Sequence, residues 1–332
     1  MSRKITVGAV QMACKLNARQ HNLSRAAQFI EEAARQGAAL ILLPELMPSG
    51  YTLTEAIWEG AEPFDGETTQ WMKEISRRLG VYLGTSFLEA EGEDFYNSFV
   101  LAGPDGNILG KVRKNPPASV EAYFYCGEDN RHVIETPLGK IGISICYENL
   151  LHDQLCHLHD KRVDLLLSPA AAGRPKPFIP GDIKRFENMI INGRSIIARA
   201  LGVPVITANR TGPLETELPG GLPYLKSSFP GLSSITDSDG TVLAELGEEE
   251  EVIVADVTLG TPRPENSPRR YGRMWAMPVP WYAFIWPLTQ KMGERSYKNS
   301  AHRKERAKEM HQTTSDNKPP KSGHAGDQTR SV

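Results

Sequence analysis

Short apolar strands alternate with helical segments along most of this chain, a pattern that a mixed α/β domain accommodates and an all-helical or all-strand fold does not. "ITVGAVQM" alternates as a strand, and "NLSRAAQFIEEAARQG" follows as an Ala- and Glu-rich helix with Gly37 placed to cap its C-terminus. "AALILLPE" reads as a buried strand, "TTQWMKEISRRLG" as a helix ending at Gly80, and "VYLGTSF" as a strand. Two hairpins come next, "NSFVLAGPDGNILGKVRK" around Pro104-Asp105-Gly106 and "HVIETPLGKIGISICYE" around Leu138-Gly139. The alternation resumes with the helix "LLHDQLCHLHDKR", the strand "DLLLSPA", the long helix "FENMIINGRSIIARALG" and the strand "VPVITANR". A hairpin over Asp239-Gly240 and the strand "EVIVADV" close the domain near residue 258.

Three strand ends carry polar residues of a kind that chemistry uses. In "KIGISICYENL", Ile141, Ile143 and Ile145 face one side, which predicts that Gly142, Ser144 and Cys146 face the other, where there is room. Cys146 sits at the C-terminal end of its strand, the edge at which α/β folds gather loops and ligands. A buried structural cysteine is the other reading of a lone thiol. In "LILLPELMPSGY", Pro44 ends the ladder and Glu45 follows among Leu, Pro and Met, where burial would raise its pKa. In "GKVRKNPPASVEAYFY", alternation sets Lys114 opposite Arg113, two prolines stiffen the loop, and Glu121 lies seven residues beyond Lys114. A thiol is only a few per cent ionised at neutral pH and needs a base. A glutamate can take its proton, and a lysine can hold the oxyanion formed when sulfur attacks a carbonyl.

Glu45 in "LPELMPSGY", Lys114 in "KVRKNPP" and Cys146 in "GISICYEN" together resemble the Glu, Lys and Cys motifs of the nitrilase superfamily of carbon–nitrogen hydrolases. Gln11 in "AVQM" and Asn22 fit that family's N-terminal pattern, and Glu121 matches its second glutamate. The resemblance covers about residues 4–258. It implies an α-β-β-α sandwich, four-layered across a homodimer or larger homo-oligomer. It also implies Cys146 as nucleophile, Glu45 as proton acceptor, Lys114 and the Tyr147 backbone N–H as oxyanion stabilisers, and Glu121 as an auxiliary group. Glu148 is expected to be a structural carboxylate orienting the turn. The implied reaction is hydrolysis of a non-peptide carbon–nitrogen bond in a small amide or carbamoyl compound through a thioester, with no metal or organic cofactor. Nitrile hydrolysis and acyl transfer from the thioester to an amine are the alternatives. "ENLLHDQL" stands where many amidase-type members carry Phe-Pro-Glu, and Tyr147 stands where the nitrile-hydrolysing branch usually has Trp, which leaves the branch open. Pocket-lining loops such as residues 214–230 carry no signature that names a substrate.

A net charge of −2 gives no electrostatic case for nucleic acid, and no P-loop or G-x-G-x-x-G fingerprint supports nucleotide binding. Four cysteines without a disulfide framework, and no signal-peptide pattern, predict a reducing cytoplasmic location. His152, Cys156 and His159 recur at helical spacing as a candidate Zn²⁺ face, but Leu151, Leu155 and Leu158 beside them read as a core stripe, so packing is preferred to metal. Residues 1–260 are thus expected to form the hydrolase domain. Residues 261–298, with the aromatic run "WAMPVPWYAFIWPL", read as a packing or oligomerisation arm in preference to peripheral membrane contact or a substrate lid. Residues 299–332 are polar, and composition predicts disorder there.

Overall fold

The computed structural model describes residues 2–312. β1 (Arg3–Gln11) leads into α1 (Arg19–Arg35), then β2 (Leu40–Leu42), α2 (Glu67–Leu79), β3 (Tyr82–Glu91), β4 (Asp94–Ala102) and β5 (Ile108–Arg113). β6 (Val133–Thr136) and β7 (Gly139–Ile143) precede α3 (His152–Lys161), β8 (Leu165–Pro169), α4 (Asp182–Leu201) and β9 (Val205–Ala208). The hairpin β10 (Thr211–Thr216) and β11 (Leu225–Pro230), then β12 (Ser234–Thr236), β13 (Val242–Glu245) and β14 (Glu251–Leu259), complete the strands. They form two six-stranded sheets, ordered β14-β1-β2-β3-β4-β5 and β13-β12-β9-β8-β7-β6.

Burial explains the layers. Alternate residues of both sheets, among them Val7, Leu40, Leu42, Phe99, Ile141, Ile143, Leu165, Leu167 and Ile206, meet in one core between the sheets. The intervening residues face outward onto helices. Ile41, Leu83 and Val100 pack with Leu23, Ala26 and Ile30 of α1 and Met72 and Ile75 of α2. Leu166 and Val205 pack with Leu155 and Leu158 of α3 and Phe186, Ile197 and Leu201 of α4. The result is the α-β-β-α sandwich. Central strands covered on both faces need apolar runs instead of alternation, which accounts for "LILL" and "DLLL".

The segment after β14 returns across the α3/α4 layer. The Ala276 N–H donates to Leu150 O at 2.8 Å, and the His152 N–H to Met274 O at 2.9 Å. Trp275, Met277 and Tyr282 are buried in that layer. α5 (Trp286–Asn299) then lies against the 3-10 turn Ser119–Tyr123. A Cβ on Gly293 of α5 would come within 2.8 Å of the backbone of Ala122 and Tyr123. Gly293→Ala gains about 1 kcal/mol of helix propensity but overpacks at a typical cost of about 1–3 kcal/mol. Backbone atoms cannot swing aside, so the loss prevails. The variant is expected to melt several degrees lower, checked by thermal unfolding, and an unchanged or raised Tm would contradict this packing.

The helical histidines take part in the same docking. His152 Nε2 donates to Pro268 O at 3.1 Å and His159 Nε2 to Pro264 O at 3.0 Å, so both rings tie the returning segment to α3.

The expectation of disorder from residue 299 is corrected for its first part. α6 (Ala301–Gln312) is helical, with Ala307 in a cluster that includes Trp58, Leu88 and Phe95. Buried Arg303 donates to Asp94 Oδ1 at 2.6 Å, and Lys304 and Lys308 reach Glu93 at 3.4 and 2.8 Å. Composition counts hydrophobes and so misses a basic helix seated on an acidic hairpin, with the Arg303 stem supplying apolar contact. Residues 313–332 lie outside the described part of the chain. No helix among the described residues is long and apolar enough to cross a membrane.

Candidate active site

The C-terminal ends of the parallel strands β2, β7 and β8 converge between the sheets. Glu45 comes from just beyond β2. Its N–H donates to Ala170 O beyond β8 at 3.3 Å, Thr85 Oγ1 holds Pro44 O at 3.1 Å, and Ser86 Oγ accepts the Leu46 N–H at 3.0 Å. Lys114 follows β5, with its N–H on Asn97 O at 2.9 Å. As alternation requires, Arg113 points the other way, into a cluster with Glu89, Glu91 and Glu128.

Lys114 Nζ lies 2.8 Å from Glu45 Oε1 and 2.7 Å from Glu121 Oε2, and all three side chains are essentially without solvent exposure. Asn97 Nδ2 donates to Glu45 Oε1 at 2.7 Å, and the Ala171 N–H donates to Glu45 Oε2 at 2.7 Å. Tyr51 donates its phenol proton to Glu121 Oε1 at 2.7 Å, and the Ala118 N–H donates to Glu121 Oε2 at 2.7 Å. Burial pushes the Glu45 carboxyl above the ordinary range. Lys114 opposes that shift and the Glu121 charge adds to it. For Lys114, burial alone would lower the pKa, but Glu121 and Glu45 outweigh it and hold the ammonium charged. Burial also keeps the Tyr51 phenol protonated.

Cys146 opens the 3-10 turn Cys146–Leu150 with φ of 52°, in the left-handed region that side chains other than glycine seldom occupy. β7 ends at Ile143, three residues short of Cys146, so strand alternation no longer governs the thiol. It packs against the inter-sheet core, on the side of Ile141, Ile143 and Ile145, and not on the Gly142/Ser144 side that alternation predicts. The elbow is clamped from both ends. Asn149 Nδ2 donates to Cys146 O at 3.0 Å and to Ser144 O at 3.1 Å. Glu148 Oε2 accepts the Ile145 N–H at 2.6 Å, while its Oε1 accepts the Asn115 N–H at 2.6 Å and lies 2.8 Å from His132 Nε2. Glu148 thereby joins the thiol's turn to the loop that carries Lys114. Cys146 is partly buried and lines a cavity. Burial first, and the Glu45 charge second, raise its pKa well above that of a free thiol.

Cys146, Glu121 and Tyr51 line one cavity of about 350 Å³, and Lys114 and Glu45 sit directly behind them. Volumes of roughly 300–1,000 Å³ are usual for small-molecule sites. Leu214, Leu218, Leu222 and Leu225, from the span expected to line the pocket, do line it. Gln11 and Asn22 are structural ties. Gln11 links β1 to Gly247 and Ser233, and Asn22 links Lys15 to Pro48 beyond Glu45. The sequence reading passed over Asn97, Tyr51, Asn149, His132 and the Ala171 N–H. Asn97 left one signal, an amide just ahead of the apolar run in "NSFVLA".

The family model for carbon–nitrogen hydrolases matches residues 6–264. A nitrilase of Pyrococcus abyssi is 31% identical over 77% of this chain and 90% of its own length. The omega-amidase of Xenopus tropicalis is 32% identical over 73% of this chain and 84% of its own. The crystal structure of a carbon–nitrogen hydrolase from Helicobacter pylori G27 superposes with a TM-score of 0.69 at 25% identity, covering 77% of this chain and 89% of that one. Two sheets between helices, converging strand ends and a family match over most of the chain lead to one conclusion: the protein belongs to the carbon–nitrogen hydrolase family of the nitrilase superfamily, and is an amidase-like enzyme acting on carbon–nitrogen bonds other than peptide bonds.

Proposed function

We propose that the protein hydrolyses a small amide or carbamoyl compound through a thioester on Cys146. The observation that carries this reading is the buried Glu45–Lys114–Glu121 network set behind the cavity-facing thiol. A thiol whose pKa is raised stays protonated at neutral pH, so its proton must leave as sulfur attacks. Glu45 Oε2 holds one hydrogen bond, from the Ala171 N–H, and retains a lone pair for that proton. As the S–C bond forms, charge develops on the carbonyl oxygen. The Lys114 ammonium stabilises it with the Tyr147 N–H, which lies in the first turn of the 3-10 segment, where backbone donors have no intrahelical acceptor. The C–N bond then breaks, Glu45 returns the proton to nitrogen, and ammonia or amine departs. Water attacks the thioester and gives its proton to Glu45, with Glu121 ordering the lysine. The C–S bond breaks, the proton returns to sulfur, and the acid leaves.

The relative named a nitrilase favours a second reading, in which the same thiol attacks a nitrile carbon. Ammonia release from a panel of amides, carbamoyl compounds and nitriles decides between the two. Amides or carbamoyl compounds are expected to react and nitriles to be slow, and turnover of nitriles alone would overturn the amide reading. The pH dependence follows from Glu45. It must be ionised to accept a proton, so kcat/KM is expected to fall as pH drops through a pKa above the usual glutamate value of about 4.3. A profile that stays flat down to about pH 4 in folded protein would contradict Glu45 as the base.

A further inference from the structure

We propose that the segment beyond the family domain is a specificity element which, with α4, makes the site select uncharged amides bearing a hydrocarbon substituent. This rests on the amide-hydrolase reading and names the substrate class for it. The family match ends at residue 264, yet Met277, Tyr282, Ile285, Trp286 and Thr289 all line the cavity that Cys146 faces. This wall therefore lies beyond the matched family domain.

The wall is fixed beside the nucleophile. The Trp286 ring lies 5.8 Å from the ring of Tyr147, the residue after Cys146, and 6.1 and 6.3 Å from those of Tyr282 and Trp275. Ser119 and Thr289 hydroxyls meet at 2.6 Å, joining α5 to the turn that carries Glu121. Met189 and Ile197 of α4, with Leu214 and Leu225, complete an apolar lining. The mouth is apolar as well, since Phe178, Leu222 and Ile285 line it with 62%, 41% and 49% exposure.

Charge gives the complementary argument. Among the described residues, four charged ones line the cavity: Glu121, Arg174, Lys176 and Arg194. Glu121 is held by Lys114 and Tyr51, Arg174 by Glu187 and Glu248, and Arg194 by Glu245, while Lys176 is exposed at the rim. A carboxylate or ammonium on the substrate would lose its hydration against Met, Leu and Trp side chains and meet engaged partners within the cavity, while Lys176 stands in solvent at the rim, where a surface ion pair gains little. A hydrocarbon substituent gains there, by about 4-fold in kcat/KM for each methylene buried.

The test is ammonia release from primary amides of increasing length, acetamide to octanamide, beside succinamic acid and 6-aminohexanamide as anionic and cationic probes. The expected result is a rise of about 4-fold per methylene until the cavity fills, with both charged amides poorer than neutral ones of equal length. Trp286→Ala and Ile285→Glu are expected to flatten that rise. Ile285 is half exposed, so its variant keeps the test open should Trp286→Ala fail to fold. Turnover without length dependence, preference for either charged amide, or an undiminished slope in a folded Ile285→Glu protein would overturn the specificity assignment while leaving amide hydrolysis standing. Calorimetric binding of the same series to Cys146→Ala separates the two readings. Affinity that rises with length supports the apolar pocket even if no amide turns over, and affinity indifferent to length overturns it.

Discussion

Cys146→Ala is expected to fold normally and to lose at least about 10⁴-fold in kcat/KM, because a chain without its nucleophile keeps only binding and charge stabilisation. The fold survives because the elbow is held by backbone and by Asn149 and Glu148, and not by the thiol. Cys146→Ser is expected to be nearly as inactive. A hydroxyl is a far weaker nucleophile than a thiol and is much harder for a carboxylate base to ionise. Steady-state ammonia release from both variants, with circular dichroism to confirm folding, checks the expectation. Turnover within about 10-fold of wild type in either would remove Cys146 from the mechanism.

Lys114→Met should fail in two ways at once. Its ammonium neutralises two buried carboxylates, so removing it strands negative charge among buried side chains. Breaking a buried pair typically costs about 3–5 kcal/mol. Against a usual total of about 5–15 kcal/mol the protein remains folded at room temperature, but with a much lower midpoint in denaturant. The oxyanion also loses a donor, which costs roughly 10²–10³-fold in kcat. The two effects part with pH. Lowering pH protonates the stranded glutamates and is expected to recover stability without recovering kcat. A variant that regains both together would reduce Lys114 to a structural counter-ion.

Sequence and structure agree where burial on both faces dictates composition. The runs around Leu40–Leu42 and Leu165–Pro169 can only be covered strands, and a polar residue just past such a strand stands out. That is why Glu45 stands out, whereas Lys114 and Cys146 follow mixed strands and are read from the family motifs they resemble. What stayed hidden depends on chain segments meeting across the fold. Asn97, Tyr51 and His132 gain their importance from partners 52, 70 and 16 residues away, and no local pattern records those pairings. The facing of Cys146 was misread because period-2 alternation holds only within a strand, and the ladder ends at Ile143 before the positive φ turns the thiol inward. α6 was missed because its docking relies on ion pairs with Glu93 and Asp94, which a count of hydrophobes does not register.

Covalent capture of the intermediate tests the central claim most directly. Enzyme mixed with a reactive amide, quenched in acid within the first turnovers and digested, is examined by mass spectrometry. The account predicts that the peptide containing Cys146 gains the mass of the acyl group less one hydrogen, that hydroxylamine removes the label as expected of a thioester, and that Cys146→Ala shows no label. Wild-type enzyme that releases ammonia at its full rate while the Cys146 peptide stays unmodified and the acyl label sits on another residue would contradict it.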